Sequence, residues 1–124
     1  MAFSVEYEDL IIRARFYGSL SGADLVNCMA QVDALEEQFT EMPSRITDIA
    51  DVVELRIDFD DILSLASLRR TKRFPNRFKS ALVAVNESQT GFARMFQTLN
   101  TNPQIDIRIF SDSGSALAWI ASEL

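Results

Sequence analysis

Asp58, Asp60 and Asp61 place three carboxylates within four positions. Hard cations such as Mg²⁺ and Ca²⁺ take several carboxylate oxygens, so the triplet admits a divalent-cation site. It lacks the central glycine and distal glutamate of the helix–loop–helix calcium motif. The same residues also suit a helix start. Asp58 or Asp60 accepts hydrogen bonds from free backbone N–H groups, and each negative charge at the positive end of a helix contributes about 0.3–1 kcal/mol. Helix capping is the preferred reading, and no metal or other cofactor is assigned.

A second set is basic. Arg69, Arg70, Lys72, Arg73, Arg77 and Lys79 hold six of the twelve bases. Residues 1–68 carry a net charge of −10 and residues 69–124 a net of +4. Such a cluster suits an anionic head group or an acidic partner. It equally suits a helix end that complements its own dipole and pairs with the acidic half. Arg73, Arg77 and Lys79, on or beyond the helix end, are the candidate head-group ligands. The third set is apolar. Phe92, Met95, Phe96 and Leu99 recur at helical spacing, and Phe74 and Phe78 flank the basic cluster. Phenylalanine beside flexible methionine suits an adaptable apolar pocket, although the same spacing also packs a helix on a sheet.

The chain has 124 residues, no histidine and one cysteine. The missing histidines remove the common triads and dyads of nucleophilic catalysis. They also remove histidine-ligated zinc, and Cys28 alone makes neither a thiolate zinc site nor an internal disulfide. Cys28 reads as a small buried residue. The segment "GSLSG" at 18–22 fits no nucleotide-binding fingerprint and reads as a tight turn with a helix cap. A net charge of −6 disfavours nucleic acid as a partner. No apolar run approaches the roughly 20 residues of a membrane span, and the start lacks the pattern of a secretory signal. A cytoplasmic location is the expectation, with peripheral membrane contact still open.

Positioning these residues requires a frame, and the hydrophobic pattern supplies one. "FSVEYE" and "LIIRARFYG" alternate with period two, which predicts an antiparallel hairpin. A helix follows, with Ser21 and Asp24 resembling a capping box and Leu25, Met29, Val32, Leu35 and Phe39 on one stripe. Residues 45–57 read as a strand with an irregular exit. A helix from about Asp60 to Lys72 turns Ile62, Leu65 and Ala66 inward, with Leu63 and Leu68 widening that face. The unbroken run Ala81–Val85 predicts a strand covered on both sides. Ser88 is positioned to cap the next helix. Ile105, Ile107 and Ile109 face inward from a last strand, and a final helix from Asp112 or Ser113 buries Leu117, Ile120 and Leu124. The predicted order is β-β-α-β-α-β-α-β-α. It implies one α/β domain over 1–124, with a mixed sheet of about five strands, an N-terminal antiparallel hairpin and four helices.

Several stretches carry a resemblance. They are Gly18-Ser19-Leu20, the strand bearing Asp48, "ALVAV", "GFARMFQTL" at Gly91–Leu99 and "IRIFSDSGSALAWI" at Ile107–Ile120. With the element order, they make the chain resemble the STAS-like domains of the anti-sigma-factor antagonists. More closely, it resembles the small stand-alone bacterial branch called SpoIIAA-like. In the antagonists a phosphorylatable serine follows the third strand. Here that segment is "ELRIDFDD", without serine or threonine, and Ser64 lies further into the helix. The resemblance therefore implies a non-catalytic module without that switch, and a lipid-like ligand held by phenylalanine-rich helices.

The leading expectation is a non-enzymatic module for an apolar or amphipathic ligand. Phe74, Phe78, Phe92, Met95, Phe96 and Leu99 would line its pocket, and Arg73, Arg77 and Lys79 would hold its head group. A protein-interaction regulator, as a homodimer or with another protein, is the alternative. A carboxylate-metal enzyme is third, since no matched acid, base or nucleophile accompanies the aspartates.

Overall fold

The structure is a computed structural model, described here for residues 3–122. Five strands, β1 (Phe3–Glu8), β2 (Ile11–Ser21), β3 (Ser44–Arg56), β4 (Phe78–Val83) and β5 (Ile105–Phe110), alternate after the first pair with four helices. The helices are α1 (Gly22–Glu36), α2 (Phe59–Arg70), α3 (Glu87–Leu99) and α4 (Ser113–Ala121). This is the predicted order and the predicted mixed sheet. The strands lie in the spatial order β1-β2-β3-β4-β5, antiparallel in the first pair and parallel thereafter.

That order fixes the layers. Each of the three crossovers steps the same way across the sheet, so right-handed connections place α1, α2 and α3 on one face. α4 follows the last strand, closes no crossover, and packs on the opposite face against β3, β4 and β5. The order never reverses, so the sheet lacks the crevice at which doubly wound proteins bind their ligands. Space for a ligand must be sought between the layers.

Outside the β2–β3 register slips, period two assigns strand residues to a layer. Ile12, Ala14 and Phe16 are all buried on the three-helix side. Ile46, Ala81 and Val83 turn the other way and meet Ala116 and the partly buried Leu117, Trp119 and Ile120 of α4. The third crossover helix is stapled by Gln89, which is 1% exposed. Its amide accepts from Val85 N and donates to the carbonyls of Ala50 and Val52, at 2.8, 3.3 and 3.0 Å.

Several local expectations need correction. The alternation suggests a short Glu8-Asp9 link, but the hairpin turn is Asp9-Leu10, and both residues have positive φ, 54° and 65°. This suits the twist of a two-residue hairpin without glycine. "GSLSG" is not a tight turn. β2 runs on to Ser21, and its pairing with β3 slips between Gly18 and Ser19. Gly18, at φ 72°, supplies the left-handed residue there. The cap of α3 is Asn86, not Ser88, because the Asn86 side chain accepts from Gln89 N. Leu68 points to solvent at 63% exposed, and Arg69 takes the inner position beside it. Val85 lies beyond the end of β4 and is exposed. Leu124 is outside the described residues.

Candidate functional site

Asp58 and Asp61 cap α2, and Asp60 lies in its first turn. Asp58 Oδ1 accepts from Asp61 N at 2.9 Å, and Asp61 Oδ2 accepts from Asp58 N at 3.1 Å. This is a reciprocal capping box with aspartate in both places. Among the described residues no group of three or more acidic, histidine or cysteine side chains is gathered for a metal.

The basic run does not form one patch. Arg69 is 2% exposed and faces α1. Its guanidinium makes a fork on Glu36, Nη1 to Oε1 at 2.9 Å and Nη2 to Oε2 at 3.1 Å, and Nη1 also reaches Asp33 Oδ1 at 2.9 Å. Lys72 Nζ adds bonds to Asp33 and Glu36 at 2.9 and 3.2 Å. From β3, the buried Arg45 donates to Glu36 Oε2 as well. Three cations from β3 and the end of α2 thus converge on two carboxylates one turn apart on α1. Phe74 and Phe78, edge to face at 4.9 Å between centroids, wall this cluster. The Arg69 guanidinium lies 5.0 Å from the Phe74 ring and that of Arg45 lies 5.5 Å from the Phe78 ring.

The cluster's charges are unevenly compensated. Burial alone would raise the Glu36 carboxyl. The hydrogen bond from Arg69 and the charges of Arg45, Arg69 and Lys72 outweigh it and hold the group at about 2. Burial, and then the like charge of Arg69, push Arg45 down to about 10 despite its bond to Glu36. The Glu36 direction reflects the surrounding cations, whereas the Arg45 direction reflects burial first and the neighbouring Arg69 second.

Amide side chains fix the loops below. Asn102 donates to the carbonyls of Arg69 and Lys72 at 2.9 and 2.7 Å, which satisfies the end of α2. Gln104 pairs with both backbone groups of Phe74, and Asn76 with both of Met42.

Beside the cluster lies a cavity of about 60 Å³ between the sheet and the three-helix layer. α2 is seated chiefly on α1 and α3 rather than on the strands, and the gap lies beneath it. Leu25, Met29, Phe92, Phe96 and Ile107 supply apolar wall, and Arg45 and Arg69 border it. Cys28 borders it too; burial pushes its thiol up to about 12, so it is neutral.

Of the residues singled out from sequence, Phe92 and Phe96 therefore stand on the cavity wall. Phe74 and Phe78 belong to the adjoining ion cluster. Met95 is 39% exposed, and neither it nor Leu99 borders the cavity. Arg73 and Arg77 are exposed on the loop before β4. Lys79 lies on the other face of the sheet, where Nζ donates to the carbonyls of Trp119 and Ser122 at 2.7 and 2.6 Å and finishes α4. Arg77 and Lys79 border a surface groove with Phe78, but none of Arg73, Arg77 and Lys79 borders the cavity with Phe92 and Phe96. Glu36, Arg45 and Asn102 were missed. The available signal was phase: Glu36 follows Val32 by four and Arg69 follows Leu65 by four, which puts opposite charges on two inner faces.

No described helix is long and apolar enough to cross a membrane. No family model matches the sequence, and no curated protein matches it significantly. Among solved structures, an uncharacterized protein of the DUF3478 family from Shewanella loihica, described as having a SpoIIAA-like fold, is similar. The match has a TM-score of 0.61 and 19% sequence identity, and it covers 97% of this chain and 93% of that one. Strand order, hairpin, helix count and this likeness agree with the motif resemblance, and the chain has the SpoIIAA-like fold.

Proposed function

We propose that the chain is a non-catalytic binding module whose ligand is apolar or amphipathic and lies between the sheet and the three-helix layer, against Phe92 and Phe96. The cavity carries this reading. Interiors are close-packed, with few voids larger than a water, whereas this one has about 60 Å³ walled mainly by apolar side chains. An apolar cavity of about 150 Å³ takes benzene, so the closed form holds only a small group, and a longer chain requires α3 to move outward. α3 is suited to this, because Phe92, Phe96 and Leu99 are only half-buried. Native mass spectrometry of protein purified from cells, with extraction and binding of fatty acids and phospholipids, tests the proposal. A retained or added small apolar mass, lost on filling the cavity by Leu25→Phe, is expected. A clean unliganded mass and no uptake would overturn it.

A second reading, a protein-interaction module, is favoured by Val53 and Phe59 near the end of β3 and the start of α2. They are 86% and 52% exposed, large values for apolar side chains so close in sequence. A defined complex or dimer that dissociates in Val53→Ser/Phe59→Ser would support it; unchanged association would remove it.

A further inference from the structure

The cavity and the ion cluster meet at Arg45. Its side chain is 7% exposed, and its buried Nε has no hydrogen-bond partner among the described residues. Buried N–H groups are almost always satisfied, by protein, water or ligand. Among the described residues the cluster also lacks a charge: Arg45, Arg69 and Lys72 face only Asp33 and Glu36. Hydroxyl groups stand on the same side of the sheet. Thr47 is two residues along β3 from Arg45, and Ser80 is opposite Arg45 on β4. Both border the cavity with Asn100, and the rest of the wall is apolar apart from the two arginines.

Resting on the cavity as the ligand site, we propose that it is a monocarboxylate site. The carboxylate accepts from Arg45 Nε with Ser80 and Thr47 beside it, and a short hydrocarbon chain lies toward Phe92 and Phe96. The head group is then recognised inside the protein rather than by Arg73, Arg77 and Lys79. A single negative charge matches the deficit of one. A phosphate dianion overshoots it, and a neutral group leaves it in place. The small volume selects a short chain in the closed form.

Titration calorimetry on the full chain at pH 7 in chloride-free buffer tests this, using sodium acetate, butyrate, hexanoate and octanoate, the matching amides, and sodium chloride. Saturable binding of one carboxylate per chain is expected, at least tenfold tighter than the amide of equal length. Arg45→Met should remove that preference, and Ser80→Ala/Thr47→Val, which leaves the ion cluster intact, should weaken carboxylate binding about tenfold. Equal binding of acid and amide overturns the carboxylate site but leaves the cavity reading standing. Binding of chloride as tight as that of every carboxylate likewise overturns it in favour of a simple halide site. No binding of acid or amide overturns both. The acid–amide comparison needs no variant, so a misfolded Arg45→Met does not obscure the result.

Discussion

Replacing Glu36 by glutamine should be the most damaging isosteric change in the ion cluster, and its cost should depend on pH. The carboxylate accepts from Arg45, Arg69 and Lys72 and is almost fully buried. Glutamine keeps the shape but removes the charge, leaving Asp33 as the cluster's lone acid among the described residues. Breaking a buried pair in this way costs about 3–5 kcal/mol. Linkage gives an independent figure. A carboxyl lowered from 4.5 to about 2 contributes about 3 kcal/mol at neutral pH, at about 1.4 kcal/mol per pH unit. The folded pKa lies below the unfolded one. That contribution is therefore complete above pH 4.5 and is lost as pH falls toward 2. About 2 kcal/mol of it should be gone by pH 3. Urea unfolding followed by circular dichroism at pH 7 and pH 3 measures both quantities. With a urea slope of about 1.5 kcal/mol/M, the pH 7 midpoint of Glu36→Gln should fall by about 2 M. The gap between parent and variant should narrow by more than half at pH 3. A loss under about 1 kcal/mol at pH 7, or a gap that does not narrow, would refute the account of the cluster.

Three further changes probe the frame around the site. Leu10→Gly should stabilise the chain by about 0.5–1 kcal/mol, raising the melting temperature by a few degrees, because Leu10 is 75% exposed and held at φ 65°. Lys79→Met should cost about 2–3 kcal/mol by freeing two carbonyls at the end of α4. It should also change the Trp119 emission maximum, since Nζ sits 5.2 Å from that ring. Gln89→Leu should cost about 2–3 kcal/mol through the three backbone groups it strands, and hydrogen exchange should quicken first at Val85 N–H, whose acceptor is lost.

The frame was legible where its causes are local. Alternation gave the hairpin, the capping box at Ser21 and Asp24 followed from side-chain chemistry, and an unbroken apolar run gave β4. The site was much less legible, because a buried charge and a surface charge are the same letter. Arg69 in "SLRRTKRF" looks like any basic helix end until α1 brings Glu36 against it. Arg45 follows a proline and a serine in a loop-like context, and only its pairing opposite Ser80 turns it inward. Lys79 sits in a run whose apolar neighbours say strand, but not which face α4 covers. The amides Gln89, Asn102 and Gln104 bond to backbone tens of residues away, and no window of sequence contains both partners.

The starts of α1 and α2 meet at Gly22 and Asp61. A Cβ on Gly22 would lie 2.5 Å from Asp61 Oδ1, so a side chain there would push the Asp61 carboxylate out of its capping position at the helix end. Each such end carries about half a positive charge, and two of them side by side would repel. Asp24, Asp58 and Asp61 are the counter-ions that make the approach tolerable. Asp58 and Asp61 are therefore spent on the fold itself, as electrostatic mortar between two helix starts. An added negative group here would crowd carboxylates, where at a bare helix start it would find open N–H groups.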